Sequence, residues 1–481
     1  MNAMKRPILT MPAILLLLAL FIFAPMVLMG LQNERNAGAA LAAGNYLEAA
    51  EQFELAAQRL FWKPVLWNEA GDAYFSGIQV EMAINVYEVA RDKKVLSADG
   101  WHALGVSYLS LDDYQIAAEV LENGVSEYPD YFPLYWVASL AYRYQGDFEK
   151  EKAYLQAWLS NEKSETWPYE ELYGAEYHYR TSLFLLGDDP TRALDELNTA
   201  SLLDGRYAPV VETLRTTLNL ASLEDDPAEK LILLGRGLGL VGEWQLAASV
   251  FHDATQADPE SASAWAWLAE AQYQIGEDPL EMFEAAASID AENVALLSLR
   301  SLYYQRRNEL DAALADVEKL AGLEPENPQW QISLGNIYAA QGDLPTALTA
   351  YERAIDLAPA EPEYRYRLAL FSFENRYDME GMGLSAARRA VILAPDNARY
   401  IDTLGLLYFG LERDGEAERQ FFRALEKDPE YAAVHLHLGM LYLQRGHRDL
   451  AYDSLVNVRE LGSDALALDQ ALRLLDEYFD E

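Results

Sequence analysis

The chain has 481 residues and a formal net charge of −40, with 77 acidic against 37 basic residues. Half of it is hydrophobic (51%), which argues against disorder over most of its length; the acidity disfavours nucleic acid and anionic lipid headgroups and favours basic or cationic partners. The absence of cysteine excludes disulfides, thiol catalysis, cysteine zinc sites and a lipidated N-terminal cysteine.

The first element in chain order is apolar. Residues 7–33 are 27 positions without a charge, and 13–31 are almost wholly apolar. About 20 apolar residues span a bilayer core as a helix, and Pro25 is compatible with spanning. Lys5 and Arg6 precede the segment, whereas Arg35 on the far side is offset by Glu34. The positive-inside bias therefore predicts a cytoplasmic N-terminus, with everything after Leu31 outside the cytoplasm. A cleaved signal peptide is the competing reading, but its apolar core is roughly 7–15 residues. The nearest A-x-A site, Ala37-Gly38-Ala39, falls inside the first repeat described next. The expectation is an uncleaved anchor over 1–30.

The rest of the chain repeats. Leu404, Gly405, Tyr408, Ala417, Phe421, Ala424 and Pro429 have the same spacing as Leu334, Gly335, Tyr338, Ala347, Tyr351, Ala354 and Pro359. Trp101, Leu104, Gly105, Tyr108, Ala117, Leu121 and Pro129 repeat it, as do Trp67, Ala70, Gly71, Tyr74, Ala83, Tyr87 and Ala90. The unit length, 98 − 64 or 432 − 398, is 34 residues. Each unit reads as two amphipathic helices around a short turn. In the unit at Pro328, Gly342-Asp343 marks the turn and Pro359 ends the second helix. Small residues (Gly335, Ala347, Ala354) let helix backbones approach, and Tyr338 and Tyr351 fill the adjacent holes. One pair cannot bury its apolar face alone, so pairs stack as a solenoid.

This pattern resembles the tetratricopeptide repeat (TPR), whose signature is W-x2-L-G-x2-Y, A-x3-F and P. Units begin near Gly30, Pro64, Ala98, Phe132, Gly174, Ala228, Ala262, Val294, Pro328, Pro362, Ala398 and Ala432. The predicted fold is all-α: a superhelical TPR solenoid of about twelve helix pairs preceded by one transmembrane helix. The predicted segments are an N-terminal array over 31–207, an irregular joint with room for one helix over 208–227, a C-terminal array over 228–463 and a capping helix over 464–481. The unit at Phe132 overruns into 161–180, that at Ala262 is two residues short, and that at Pro362 is two long.

Gly237-Leu238-Gly239-Leu240-Val241-Gly242 has the outline of a dinucleotide-binding fingerprint, with Asp258 and Glu260 downstream. The repeat register absorbs it. Leu234-Gly235, Ala247, Phe251, Ala254 and Pro259 complete one unit, and Gly242 ends its first helix as Gly342 and Gly446 do in theirs. No strand is available for a βαβ unit, so no cofactor is expected. Gly237 and Gly239 remain unusual inside a helix, where each costs roughly 0.5–1 kcal/mol relative to alanine. The expectation is a soft point in the array, or groove space cleared by Gly239 for a partner.

No segment is left over for a catalytic domain, and no catalytic or metal residues are expected. His435 and His437 point to different helix faces, His447 falls in a turn, and no zinc-like spacing occurs. "GDDPTRAL" and "EDDPAEKL" read as Asp caps followed by a proline at the first helical position. Trp167, Tyr169, Tyr173, Tyr177 and Tyr179 read first as packing at an irregular junction and second as an exposed platform.

The resemblance implies that the first helix of each unit lines a concave groove for a protein or peptide. Mapped here, its groove positions are His102, Trp136, Arg143, His178, Arg236, Trp267, Tyr273, Arg306, Asn336, Tyr366, Arg367 and Phe373. Asn336 fits one position of the TPR clamp for C-terminal carboxylates, but no lysine accompanies it in that unit's groove. The functional expectation is a membrane-anchored, extracytoplasmic scaffold that binds another protein. The alternative is an enzyme subunit or polymer-binding factor of the cell envelope that grips a glycan or peptide.

Overall fold

The computed structural model describes residues 11–159 and 170–479. Among these the chain forms 26 α-helices and no strand, an all-α solenoid. It divides into two compact units, Met1–Asp225 with Leu233–Ser249 and Asp226–Ile232 with Val250–Glu481.

The first unit begins with the helix Met11–Ala42, which pairs with Tyr46–Arg59. Four further pairs follow: Leu66–Ser76 with Val80–Asp92, Ala98–Leu109 with Tyr114–Glu127, Pro133–Gln145 with Phe148–Leu159, and Glu170–Leu185 with Pro190–Leu203. A single helix, Ala208–Ser222, fills the predicted joint and lies within this unit. The pair Pro227–Leu240 and Trp244–Ala257 contributes residues to both units. The second unit continues with six pairs whose first helices are Ala262–Gln274, Val294–Arg306, Pro328–Gln341, Pro362–Glu374, Ala398–Gly410 and Ala432–Gln444. The terminal helix Ala465–Phe479 buries Ala467, Ala471 and Leu475 against the last pair.

Local chemistry sets the helix ends. Ser97, Ser261, Asn293 and Asn397 accept a backbone N–H of the first turn that follows each of them. Asp189 and Asp226 do the same before Pro190 and Pro227, so both acidic pairs are caps. Gly242, Gly342 and Gly446 take φ of 84°, 82° and 74° at the end of their first helices, the left-handed turn that glycine adopts most readily.

The interior is built on a small-to-large fit sixteen residues apart. A Cβ on Gly71 would fall 2.4 Å from the Tyr87 ring, one on Gly105 2.4 Å from Leu121, and one on Gly405 2.5 Å from Phe421. Where the first helix carries a glycine at this position, it admits the large side chain of the second; Ser139, Ala269, Ser301 and Ala369 stand there in other units. A second bond joins consecutive pairs. The hydroxyls of Tyr74, Tyr108 and Tyr338 donate to Glu54, Glu88 and Glu318 at 3.2, 2.9 and 3.4 Å, and Tyr142 donates to Glu122. In these four the partner is twenty residues upstream, on the preceding second helix; Tyr442 reaches Glu418, twenty-four upstream.

The two length irregularities have structural counterparts. The short unit has a ten-residue second helix, Leu280–Ile289. The two extra residues of the unit at Pro362 appear as a π-helical turn, Met379–Gly383, entered through Asp378 at φ 43°.

Of the anchor expectation, Lys5 and Arg6 lie outside the described residues. Among the described residues no helix is long and apolar enough to cross a membrane. Trp167, Tyr169 and the Tyr173 side chain also lie outside the described residues.

Candidate functional site

In the first unit the first helices carry His102, Trp136, Arg143, His178 and Arg236. His102 and Trp136 are buried, at 4% and 1% exposure. Both sit at the fifth position of their repeat, and so does Tyr366, at 8%, in the second unit. Asn68, Ile232, Ile332, Asp402 and Leu436 hold the same position and are buried too. The fifth position faces inward, so these three expected groove residues belong to the core. Trp136 meets the Tyr177 ring edge-on at 5.6 Å, and Trp158 lies 5.7 Å from the same ring. Tyr177 thus packs at the irregular junction.

Arg143 and His178 are half-buried and engaged within the chain. Both Arg143 Nη atoms reach Glu243 at 3.4 Å, and His178 Nδ1 lies 2.6 Å from Glu196. Arg180, 1% exposed, donates to Glu151 at 3.0 and 2.6 Å and to Glu243 at 2.9 Å. The Tyr179 hydroxyl adds a bond of 3.0 Å to Glu243. Glu243 precedes the helix Trp244–Ala257, where the helix dipole favours a carboxylate. Burial pushes the Glu151 and Glu176 carboxyls above their ordinary range, with the Arg143 guanidinium opposing it in each case. Glu151 Oε2 is buried and accepts no hydrogen bond. This cluster ties four helices together; its guanidiniums are committed to chain carboxylates.

Arg236 is exposed on the helix that carries the glycine fingerprint. A Cβ on Gly237 would lie 2.4 Å from Thr217, and one on Gly239 would lie 2.7 Å from the Trp244 ring. The space at Gly239 is therefore filled by the chain's own tryptophan, which corrects the expectation that it clears room for a partner. Gly237 and Gly239 are close-packing glycines.

The second unit presents a different face. Trp267 is half-buried and stacks on Phe251 at 5.8 Å. The exposed Arg306 lies 5.0 Å from the Tyr273 ring and 2.9 Å from both oxygens of the buried Glu270. Asn336 is exposed and accepts the Tyr351 hydroxyl at 2.6 Å, an internal use of the clamp position. Tyr366 lies between two guanidiniums, Arg399 at 4.4 Å and Arg367 at 5.7 Å, and 5.3 Å from Tyr400. Glu363 receives Arg367 at 2.8 Å, Arg399 at 2.5 Å and the Tyr400 hydroxyl at 3.0 Å. Phe373 is half-buried, with its ring 3.2 Å from where a Cβ on Gly410 would lie. His437 pairs with the buried Asp402 at 2.8 Å, and His435 reaches the Pro429 carbonyl at 3.1 Å.

Sequence reasoning missed Arg399 and Tyr400. The repeat itself carried the signal, because Tyr400 stands 34 residues after Tyr366 and neighbouring first helices share a face. It also missed Arg180, Glu151 and Glu243. Arg180 follows the insertion that breaks the register, and Glu243 is 100 residues from Arg143, so no local pattern links them.

Residues 232–293 and 299–375 match one family model described as tetratricopeptide repeat, and 98–131 match a second so described. The chain carries tetratricopeptide repeats. Solved structures similar to it include yeast Tom70, 16% identical with a TM-score of 0.43, covering 93% of this chain and 95% of that one. The Cut9–Hcn1 hetero-tetramer of the APC/C is 16% identical with a TM-score of 0.42, covering 95% and 99%. MamA 41-end from Desulfovibrio magneticus RS-1 is 26% identical with a TM-score of 0.30, covering 35% and 96%. No curated protein matches the chain. The TPR fold is compatible with protein–protein interaction. Of the twelve groove candidates, Arg236, Arg306, Asn336 and Arg367 are exposed and Trp267, Tyr273 and Phe373 are half-buried.

Proposed function

We propose that the chain is a membrane-anchored TPR scaffold whose repeats stand outside the cytoplasm and bind a protein or peptide along the first-helix face. The observation that carries the binding reading is the second unit's exposed guanidiniums on aromatic support, Arg306 beside the half-buried Tyr273 and Arg367 and Arg399 over the core ring of Tyr366. Aromatic and arginine side chains dominate interface energetics because they bury large area while keeping directional donors.

The anchor reading is supported by residue accounting. Val27 already packs against the first repeat's core. Upstream of it 7–26 leaves 20 uncharged positions behind Lys5 and Arg6, about the number that crosses a bilayer core.

A photo-crosslinking residue replacing Arg367 or Arg236, in the full chain in its own membrane, is expected to capture one specific protein. Capture from the second-helix position Glu352 and not from these two would remove the binding face. A reporter fused after Glu481 that works only in the cytoplasm would remove the topology.

A further inference from the structure

We infer that the first repeat rests on the bilayer surface, with the Phe61–Trp62 pair inserted among the lipid headgroups. The inference rests on the anchor reading and adds a second, peripheral contact to it.

The helix Tyr46–Arg59 runs back along Met11–Ala42 from the turn at Ala43–Asn45. Its last turn ends beside Gly30, whose missing Cβ leaves room for Leu60: a Cβ there would be 2.7 Å from the leucine. The chain then exposes Phe61 (71%) and Trp62 (48%), edge to face at 5.0 Å. On the long helix itself Phe23, Leu28, Met29 and Leu31 are exposed, within two turns of Gly30.

Polarity changes sharply along the same two helices. Asn33 bonds Arg59 and Gln52, and Glu34 pairs with Lys63 at 2.7 Å. These polar links lie on the C-terminal side of Gly30, whereas Phe23, Leu28, Met29 and Leu31 are exposed near it and before it; Leu41, Tyr46 and Leu47 form a separate exposed group at the far turn. In water the six large apolar side chains Phe23, Leu28, Met29, Leu31, Phe61 and Trp62 would stay hydrated. A bilayer interface removes them from water, with the Trp62 indole at headgroup level, where tryptophan settles, and Phe61 beside it on the acyl side. Along the chain, Phe23 to Leu31 run on directly from the uncharged stretch of the anchor reading, which names the occupant: a phospholipid surface, not a protein.

The chain has no cysteine, so Phe61→Cys or Trp62→Cys gives a single thiol for an environment-sensitive fluorophore. Glu212→Cys, on the exposed face of Ala208–Ser222, supplies the water reference. The full chain is reconstituted into phosphatidylcholine vesicles containing lipid spin-labelled near the headgroup end of its acyl chain. Labels at 61 and 62 are expected to shift to the blue and be quenched, and the label at 212 to be neither. If the chain floats with the vesicles while labels at 61 and 62 behave like that at 212, the surface contact is wrong and the anchor stands. If the chain does not float with the vesicles, the anchor and the contact both fall.

Discussion

His102 occupies the fifth position of its repeat, where the flanking repeats place Asn68 and Trp136 in the core. Burial lowers its imidazole from 6.5 to about 4, against the opposing charge of Asp99. The folded chain therefore keeps His102 neutral while the unfolded chain takes up a proton below pH 6.5. Its stabilising share is fully present above that pH and is lost as pH falls toward about 4, a span worth on the order of 3 kcal/mol. H102Q should flatten the dependence of urea midpoint on pH between 6.5 and 4; an unchanged slope would contradict a neutral buried imidazole. Gly237 poses the opposite test. Helix propensity alone predicts that Gly237→Ala stabilises by roughly 0.5–1 kcal/mol. The 2.4 Å approach to Thr217 predicts a loss of about 1–3 kcal/mol instead, since overpacking outweighs backbone entropy. Adding Thr217→Ala should recover part of that loss, and additive effects in the cycle would sink the packing account. Neither burial was legible in the sequence. A polar residue at a fixed repeat position does not declare which way it faces; only its apolar counterparts Ile232, Ile332 and Leu436 hinted at it.

At the level of elements the period was legible because packing is the same in every repeat. Units read at Ala98, Ala262, Val294, Pro328, Pro362, Ala398 and Ala432 begin helices at those residues. Those read at Gly30 and Gly174 do not: Met11–Ala42 and Glu170–Leu185 start earlier. In both cases the helix extends back beyond the signature, through the apolar segment or the insertion, and the signature alone carries no stop. The twenty-residue tyrosine–glutamate staple was not legible, because glutamates crowd the second helices of so acidic a chain. Tyr108→Phe should cost roughly 0.5–1.5 kcal/mol by thermal unfolding, the usual net worth of one such bond. Glu88→Gln keeps an acceptor and should cost less; equal losses would argue that Tyr108 acts through its ring.

At the level of the whole chain, charge is the dominant liability. A net charge of −40 repels itself, and the repulsion is long-range wherever salt is low. Raising ionic strength from about 10 to about 150 mM shortens the Debye length from about 30 to about 8 Å. The thermal midpoint should rise over that range, and a fall would mean that the surface ion pairs contribute more than the repulsion costs. The arginines are concentrated where they neutralise this excess. Arg180 and Arg143 hold Glu151 and Glu243 in the first unit, and Arg399 and Arg367 hold Glu363 in the second. That division explains which part of the site could be read from sequence. Groove positions followed from the period; Glu363 is one turn from Arg367, but Glu270 is 36 residues from Arg306 and Glu243 is 100 from Arg143.

The tyrosine staples bear on how such a chain grows. Tyr338 and its partner Glu318 belong to consecutive signature units, so a duplication that copies one signature unit severs one staple at each end. A segment cut in the left-handed turns, from the second helix of one unit through the first helix of the next, carries its staple whole. What it must rejoin is the small-to-large fit between the two helices of a unit, seen at Gly71, Gly105, Gly335, Gly405 and Gly439. The piece best suited to duplication, deletion or grafting is therefore half a repeat out of step with the motif by which the repeat is recognised.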